Sequence, residues 1–321
     1  MPQILTSSRT LPRRAFLGGA VTLAMASFAA ACASSDGGSG GDGGDAAASG
    51  AAQGTSGEHP SRVVALSTGH LDHCLAMGVL PVGLAVAVSD ATDSRGIPQY
   101  IRDVFDDDFD LDSIEIVGER MDPDLEMVAT LKPDLILSNK RNPQELNDQL
   151  ASIGTVVQTN GGSEWFKTDL GIVGDALGYR DKADELLRDY EARAQEWGEQ
   201  RGTSDTISLT RAKGDQYMYF GTLALASIVA EYAGLTRPEN QRFDDNASRP
   251  LAQENAGDLD ADWLFYSFPG GTTDILDSDS WRRLPAVQDG HAFEVDVDPW
   301  FINASVVAAD RVLADMKKFM A

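Results

Sequence analysis

Cysteine is almost absent from this 321-residue chain, which has two, Cys32 and Cys74. Only Cys74 falls within the body, so no intramolecular disulfide can staple it. Cys74 lies in the helical pattern LDHCLAMGV, where a buried, inert thiol is expected. Histidine is scarce too: His59, His70, His73 and His291 are all there are, which leaves little for acid–base work. Positive charge is in short supply, with 26 Lys and Arg against 50 Asp and Glu. Arg9, Arg13 and Arg14 precede Cys32 and no acid does, so the remainder carries 23 basic against 50 acidic residues, a formal −27. Such a field repels nucleic acid and anionic lipid surfaces. Beyond the glycine-rich stretch 33–57 there is no G-x-S-x-G, H-E-x-x-H or P-loop, and no strand-linked G-x-G-x-x-G. No catalytic constellation stands out, and the chain reads as a non-enzyme with no resident cofactor.

What is present begins with a processing signal, residues 1–32. Three arginines open it, an apolar run occupies 15–31, and AAAC ends at Cys32. That run with small residues at its end fits a secretory signal better than a membrane span. PRRAFLG, with Arg13 and Arg14 paired, resembles a twin-arginine export signal. Ala29-Ala30-Ala31-Cys32 resembles a lipobox, which implies acylation of Cys32 and attachment to the cell membrane; a plain secreted protein is the alternative. Residues 33–60 then read as a tether, since 33–57 hold no large apolar side chain. About 25 such residues reach roughly 25–30 Å as a random coil.

The body divides into a first α/β lobe (61–162), a helical bridge (163–200) and a second α/β lobe (201–321). In the first, RVVALS, PVGLAVAV, SIEIVG, DLILS and TVVQT alternate with helical stretches, and an Asp-rich surface loop runs through Asp112. Strands separated by helices of this length imply parallel βαβ units. In the second, TISLT, QYMYF, DWLFYS and HAFEVDV alternate with helices and end in NASVVAADRVLADMKKFM. The bridge carries two apolar stripes: Leu170, Val173 and Leu177, then Ala183, Leu186, Leu187, Tyr190, Ala194 and Trp197. Gly178 is placed to cap the first helix and Asp181 to start the second. The lobes also share a pattern. Glu126, Leu131 and Asp134 are matched at one offset by Glu254, Leu259 and Asp262, each Glu eight residues before the Asp that opens a strand. Two related lobes of this kind make a cleft at the carboxyl ends of their strands.

RVVALSTGHLDHCLAMGVLPVGLA, VGERMDPDLEMVATLKPDLIL and LPAVQDGHAFEVD, in this order across 61–321, resemble the substrate-binding lipoproteins of ABC importers that serve iron–siderophores, haem and cobalamin. The resemblance implies two lobes joined by a single long helix, here the part of the bridge up to Gly178, and therefore modest closure on binding. It implies a ligand contact for Arg120 in the VG-x-R pattern, and Arg211 ends a strand at the corresponding edge of the second lobe. A permanently charged donor fork suits the oxygens around iron. Trp300 stands where the family often carries a cleft tryptophan. Trp165, Tyr217, Tyr219 and Phe301 are further aromatics near strand ends or loops, able to bury a flat chelate face. Glu126 and Glu254 are the pair that the resemblance assigns to docking on the two permease subunits. His70 and His73, flanking Asp72, are the weaker alternative of direct metal or haem ligation, against plain packing and capping.

The reading that results is a monomeric, lipid-anchored extracytoplasmic receptor that captures a ferric siderophore and delivers it to an ABC permease dimer with its ATPase. Haem or cobalamin is the alternative ligand within the class, and an extracytoplasmic enzyme is the alternative outside it. Whether the chelate is a neutral hydroxamate or an anionic type stays open, because bulk acidity and the two arginines point opposite ways.

Overall fold

A computed structural model of the chain describes residues 59–87, 94–214, 216–268 and 273–321. The paired arginines, Cys32 and the tether as far as Glu58 lie outside the described residues. His59, expected in the linker, belongs to the fold: its ring stacks on Tyr179 at 4.4 Å and its Nδ1 lies 2.9 Å from the Leu177 carbonyl oxygen.

The first lobe is built on β1 (Val63–Ala65), α1 (Thr68–Ala76), β2 (Gly83–Val86), α2 (Gln99–Phe105), β3 (Glu115–Glu119), β4 (Asp122–Pro123), α3 (Leu125–Thr130), β5 (Leu135–Asn139), α4 (Gln144–Ala151) and β6 (Thr155–Thr159). Its sheet has the order β4-β3-β2-β1-β5-β6, parallel except for the β3–β4 pair. Central β1 and β2 are buried along their whole length, as strands covered on both faces must be. The helix α2 corrects the expectation of a featureless loop: Tyr100, Ile101 and Phe105 are its buried face. A seven-residue helix followed by three aspartates gives too short a stripe to register as periodic.

From Phe166–Leu177 (α5) the chain turns at Gly178, left-handed with φ 76°, into α6 (Arg180–Arg201). The roles expected of these two helices are reversed. α5 packs on β6 and α1 of the first lobe, whereas α6 starts against α5 and goes on to meet the second lobe. The reason is local: a Cβ on Gly174 would lie 2.7 Å from the Ala183 Cβ, so glycine lets α6 fold back flush against α5. With 22 residues, α6 is about 33 Å long and runs from its contact with α5 to α7 and α11 of the second lobe.

The second lobe holds β7 (Ile207–Lys213), β8 (Gln216–Phe220), α7 (Leu225–Tyr232), β9 (Ser248–Leu251), β10 (Trp263–Ser267), the short α8 (Thr273–Leu276), α9 (Asp279–Arg282) and α10 (Pro285–Gln288), β11 (Ala292–Glu294) and α11 (Val306–Phe319). Sheet order is β11-β10-β7-β8-β9. β11, β10 and β7 are parallel, while β7–β8 and β8–β9 are antiparallel. The fold is a two-lobed α/β structure with mainly parallel sheets.

The sequence repeat between the lobes has a physical cause. The Asp134 carboxylate accepts from the Ser61 N–H and Oγ and from the Arg62 N–H, at 2.8–2.9 Å, just ahead of β1. Asp262 takes the N–H and hydroxyl of Thr206, at 2.7 and 2.8 Å, just ahead of β7. Each aspartate thus pins the entry of its lobe's central strand, and these bonds hold both carboxyls below the usual aspartate range.

Candidate ligand-binding site

The segment just past β1 meets the stretch between β11 and α11. The Thr68 hydroxyl, just past β1, donates to Asn303 Oδ1, and the Asn303 amide donates to Asp298 at 3.3 Å. One turn deeper, the Ser305 hydroxyl, which also caps α11, donates to the buried Asp72 carboxylate. The Tyr100 hydroxyl donates to the same Asp72 oxygen at 3.1 Å. A polar seam therefore joins the first lobe to the segment entering the last helix.

Arg120 leaves the carboxyl end of β3, its N–H held by the Val86 carbonyl at 2.8 Å. Its guanidinium makes no ion pair among the described residues; partial burial, and then Arg141, lower its pKa. Arg211, opposite Ser267 in the β7–β10 register, stands at the carboxyl edge of the second sheet. It is half-buried, its Nε is enclosed without a hydrogen-bond partner, and burial lowers its pKa. Neither arginine meets a carboxylate among the described residues.

Arg141 was missed in the sequence. It follows β5 in a turn fixed by its neighbours: Asn139 Oδ1 accepts the Arg141 N–H at 2.8 Å, and Asn142 Nδ2 donates to Ser138 Oγ at 3.2 Å. The turn abuts the main chain after β6, where a Cβ on Gly161 would fall within 2.0 Å of Asn139 Nδ2. The signal was there to be read, an arginine two residues after the buried strand LILSN.

The histidines are not open ligands. His70 is 3% exposed and its Nε2 meets Thr159 Oγ1 at 2.9 Å. Burial and then Arg120 hold its pKa at about 4; burial and then His70 hold His73 at about 3, so both rings are neutral. Among the described residues no group of three or more metal-ligating side chains exists. Cys74 is buried and free, and burial pushes its thiol far up, which keeps it unreactive.

Two aromatic expectations need correction. Trp300 is 0% exposed, lies on Phe265 at 4.7 Å and donates its indole N–H to Asp315 at 3.1 Å. The π-helical turn Asp298–Ile302 rotates it into the core beneath α11. Tyr217 is also 0% exposed, packed with Phe268 and Trp281. Its place in β8 turns it to the inner face of the sheet, so neither ring has surface to offer a ligand. Phe301 remains half-buried on Phe220, and Tyr219 half-buried edge-on to Phe243. Trp165 is 46% exposed on the turn Ser163–Trp165, which touches α7 across the lobes.

Glu126 is exposed in the first turn of α3. Glu254 is exposed on the 3-10 segment Gln253–Leu259 and rims a hollow of about 230 Å³ with Ser280 and Arg283. A larger hollow of about 540 Å³, lined by Asp205, Asp262, Trp263 and His291, adjoins it at the amino-terminal edge of the second sheet. Both lie away from the arginine-bearing edges.

Residues 63–299 match the family described as periplasmic binding protein. The chain belongs to that family. Among periplasmic binding protein relatives, it is 28% identical over 288 residues to the probable siderophore-binding lipoprotein YfiY of Bacillus subtilis, covering 84% of this chain and 86% of that one. It is 24% identical to the Fe(3+)-citrate-binding protein YfmC of the same organism, covering 81% and 80%. In fold it is similar to Staphylococcus aureus SirA complexed with staphyloferrin B, with a TM-score of 0.71, 22% identity and coverage of 82% and 94%.

Proposed function

We propose that this periplasmic binding protein is an extracytoplasmic, lipid-anchored receptor that captures a ferric siderophore between its lobes and delivers it to an ABC importer. The observation that carries this reading is the pair of uncompensated arginines, Arg120 and Arg211, one on each facing sheet edge. Arg211 is half-buried without a counter-charge, which is unfavourable in the empty protein and becomes favourable when an anionic oxygen arrives, while Arg120 stands exposed with its donors free. The names of the relatives, which speak of siderophore and ferric citrate, add to it. Trp165, Tyr219 and Phe301 supply apolar surface around those charges. Glu126 and Glu254, in matching places on the two lobes, suit a pseudo-two-fold permease. Twin-arginine export, acylation of Cys32, a tether over 33–58 and a monomeric state belong to the same reading. Haem ligation through His70 or His73 is disfavoured by the burial of both rings.

Titration of the purified chain with ferric chelates, haem and cobalamin, followed by tryptophan fluorescence, tests this. Exposed Trp165 is the reporter, and saturable quenching by a ferric chelate is expected. Saturation by haem or cobalamin alone, or turnover of a small substrate with no binding, would refute it.

A further inference from the structure

Between Cys32 and the first strand the sequence offers a single ring, His59. Residues 33–58 hold no aromatic and no large aliphatic side chain, so His59 is the first with a face to lay on the body. The α5–α6 turn receives it. The imidazole stacks on Tyr179 at 4.4 Å and 14°, and Tyr179 in turn packs on the main core. Leu177 ends α5, where a helix has no internal donor for its carbonyl oxygens. His59 Nδ1 lies 2.9 Å from the Leu177 oxygen, and a carbonyl only accepts, so Nδ1 carries the proton and donates. Gly178 makes the room: a Cβ there would fall 2.8 Å from His59 Nδ1 and 3.1 Å from its Cε1. A stack, a hydrogen bond and a glycine thus converge on a residue that is itself exposed.

Two residues on, the chain is fastened again. Ser61 and Arg62 donate to Asp134, and Arg62 Nε donates to the Leu131 carbonyl oxygen at 2.6 Å. Pro60, between the two fastenings, has no N–H to satisfy. β1 begins only at Val63, is three residues long and lies between β2 and β5. It would be a poor place to hold this lobe by, since its loss splits the sheet. Arg120 leaves the far end of β3, which runs parallel to β2 and β1, so both fastenings lie at the opposite edge of the sheet.

We infer that the His59 ring is a clip that fastens the root of the amino-terminal segment to the α5–α6 turn and keeps the pull of a membrane anchor off β1. The anchor is taken from the function proposed above; the seat of the ring is independent of it. Tension arriving at residue 59 passes into the turn, and what remains passes through Ser61 and Arg62 to Asp134. The anchored body is then held by the edge away from Arg120.

The test uses the full chain in solution. With four histidines in all, single substitutions assign the ring resonances. The His59 ring protons should be shifted upfield by Tyr179 and return to free-histidine positions in Tyr179→Leu. A stack and a hydrogen bond together favour the seated ring by roughly tenfold or more. A Glu-specific protease should therefore cut the Glu58–His59 bond slowly. Tyr179→Leu and Gly178→Ala, which leave the cleaved sequence untouched, should each speed that cut by about fivefold or more. Cleavage after Glu145, exposed on α4, should stay unchanged in both and so report an intact fold. An unshifted His59 ring in the parent, or cutting after Glu58 that ignores both substitutions, overturns the clip. The mass of the chain extracted from membranes reads the anchor separately. Cys32 without an acyl group brings down the anchoring reading, and with it the load on the clip, even where the ring is seated.

Discussion

At the scale of single residues, the floor of the seam between the lobes holds three titratable groups whose protons pull in opposite directions. Burial pushes the Asp72 carboxyl up from 3.8 to about 7, against the hydrogen bonds from Ser305 and Tyr100. His70 and His73 lie at about 4 and about 3 instead of 6.5. The folded state therefore holds a proton on Asp72 that the unfolded chain has lost between pH 4 and 7, and stability falls as pH rises through that window. The histidines do the reverse: the unfolded chain gains two protons below 6.5 that the fold refuses, and stability rises with pH from about 4 to 6.5. One proton offsets part of two. Asp72→Asn keeps an acceptor for Ser305 and Tyr100 but removes the opposing proton. Its unfolding free energy should climb more steeply between pH 4.5 and 6 than that of the parent, by about 1.4 kcal/mol per pH unit. Urea unfolding across that range measures it, and an unchanged slope would show that Asp72 is ionised in the fold.

At the scale of elements, the α5–α6 hairpin decides how the two lobes are linked. Gly174 is the contact point, with Ala183 pressed against it. In an open helix, Gly174→Ala would stabilise by about 1 kcal/mol through backbone entropy. Here the added methyl meets another Cβ at 2.7 Å, so Gly174→Val should destabilise by about 1–3 kcal/mol, read as a lower thermal midpoint. Ala183→Gly in the same chain should recover part of the loss. Hydrophobic period revealed both helices and their buried residues, Leu170, Val173, Leu177, Ala183, Tyr190 and Ala194. It says nothing about which helix crosses, because that depends on one close approach between residues nine apart. The β7–β8 hairpin was hidden for a like reason, since a strand's pattern does not carry its direction. Arg120 was legible as a strand-end residue, while the withdrawal of Trp300 was not: a π-helical turn of five residues has no distinctive period.

At the scale of the whole molecule, three kinds of link bridge the lobes. α6 is a continuous helix, the Thr68–Asn303 and Asp72–Ser305 bonds close the seam, and Lys167 of α5 pairs with Glu191 at 3.2 Å beside Tyr232 of α7. A hinge with this many attachments rotates little. Small-angle scattering of the free chain and of the chain saturated with a ferric chelate that it binds should superimpose with only a slight contraction. A large domain rotation on loading would refute the bracing role of α6.

The final helix adds a matter of timing. α11 begins on the Asp72-bonded Ser305 and packs on α1, α2 and α5 as well as on α6 and α7. The first lobe is thus roofed by a helix more than 200 residues further along the chain than α1 and α2. During synthesis, α1 and α2 stay uncovered until residues 306–319 have left the ribosome. The first lobe is then not a finished intermediate on its own.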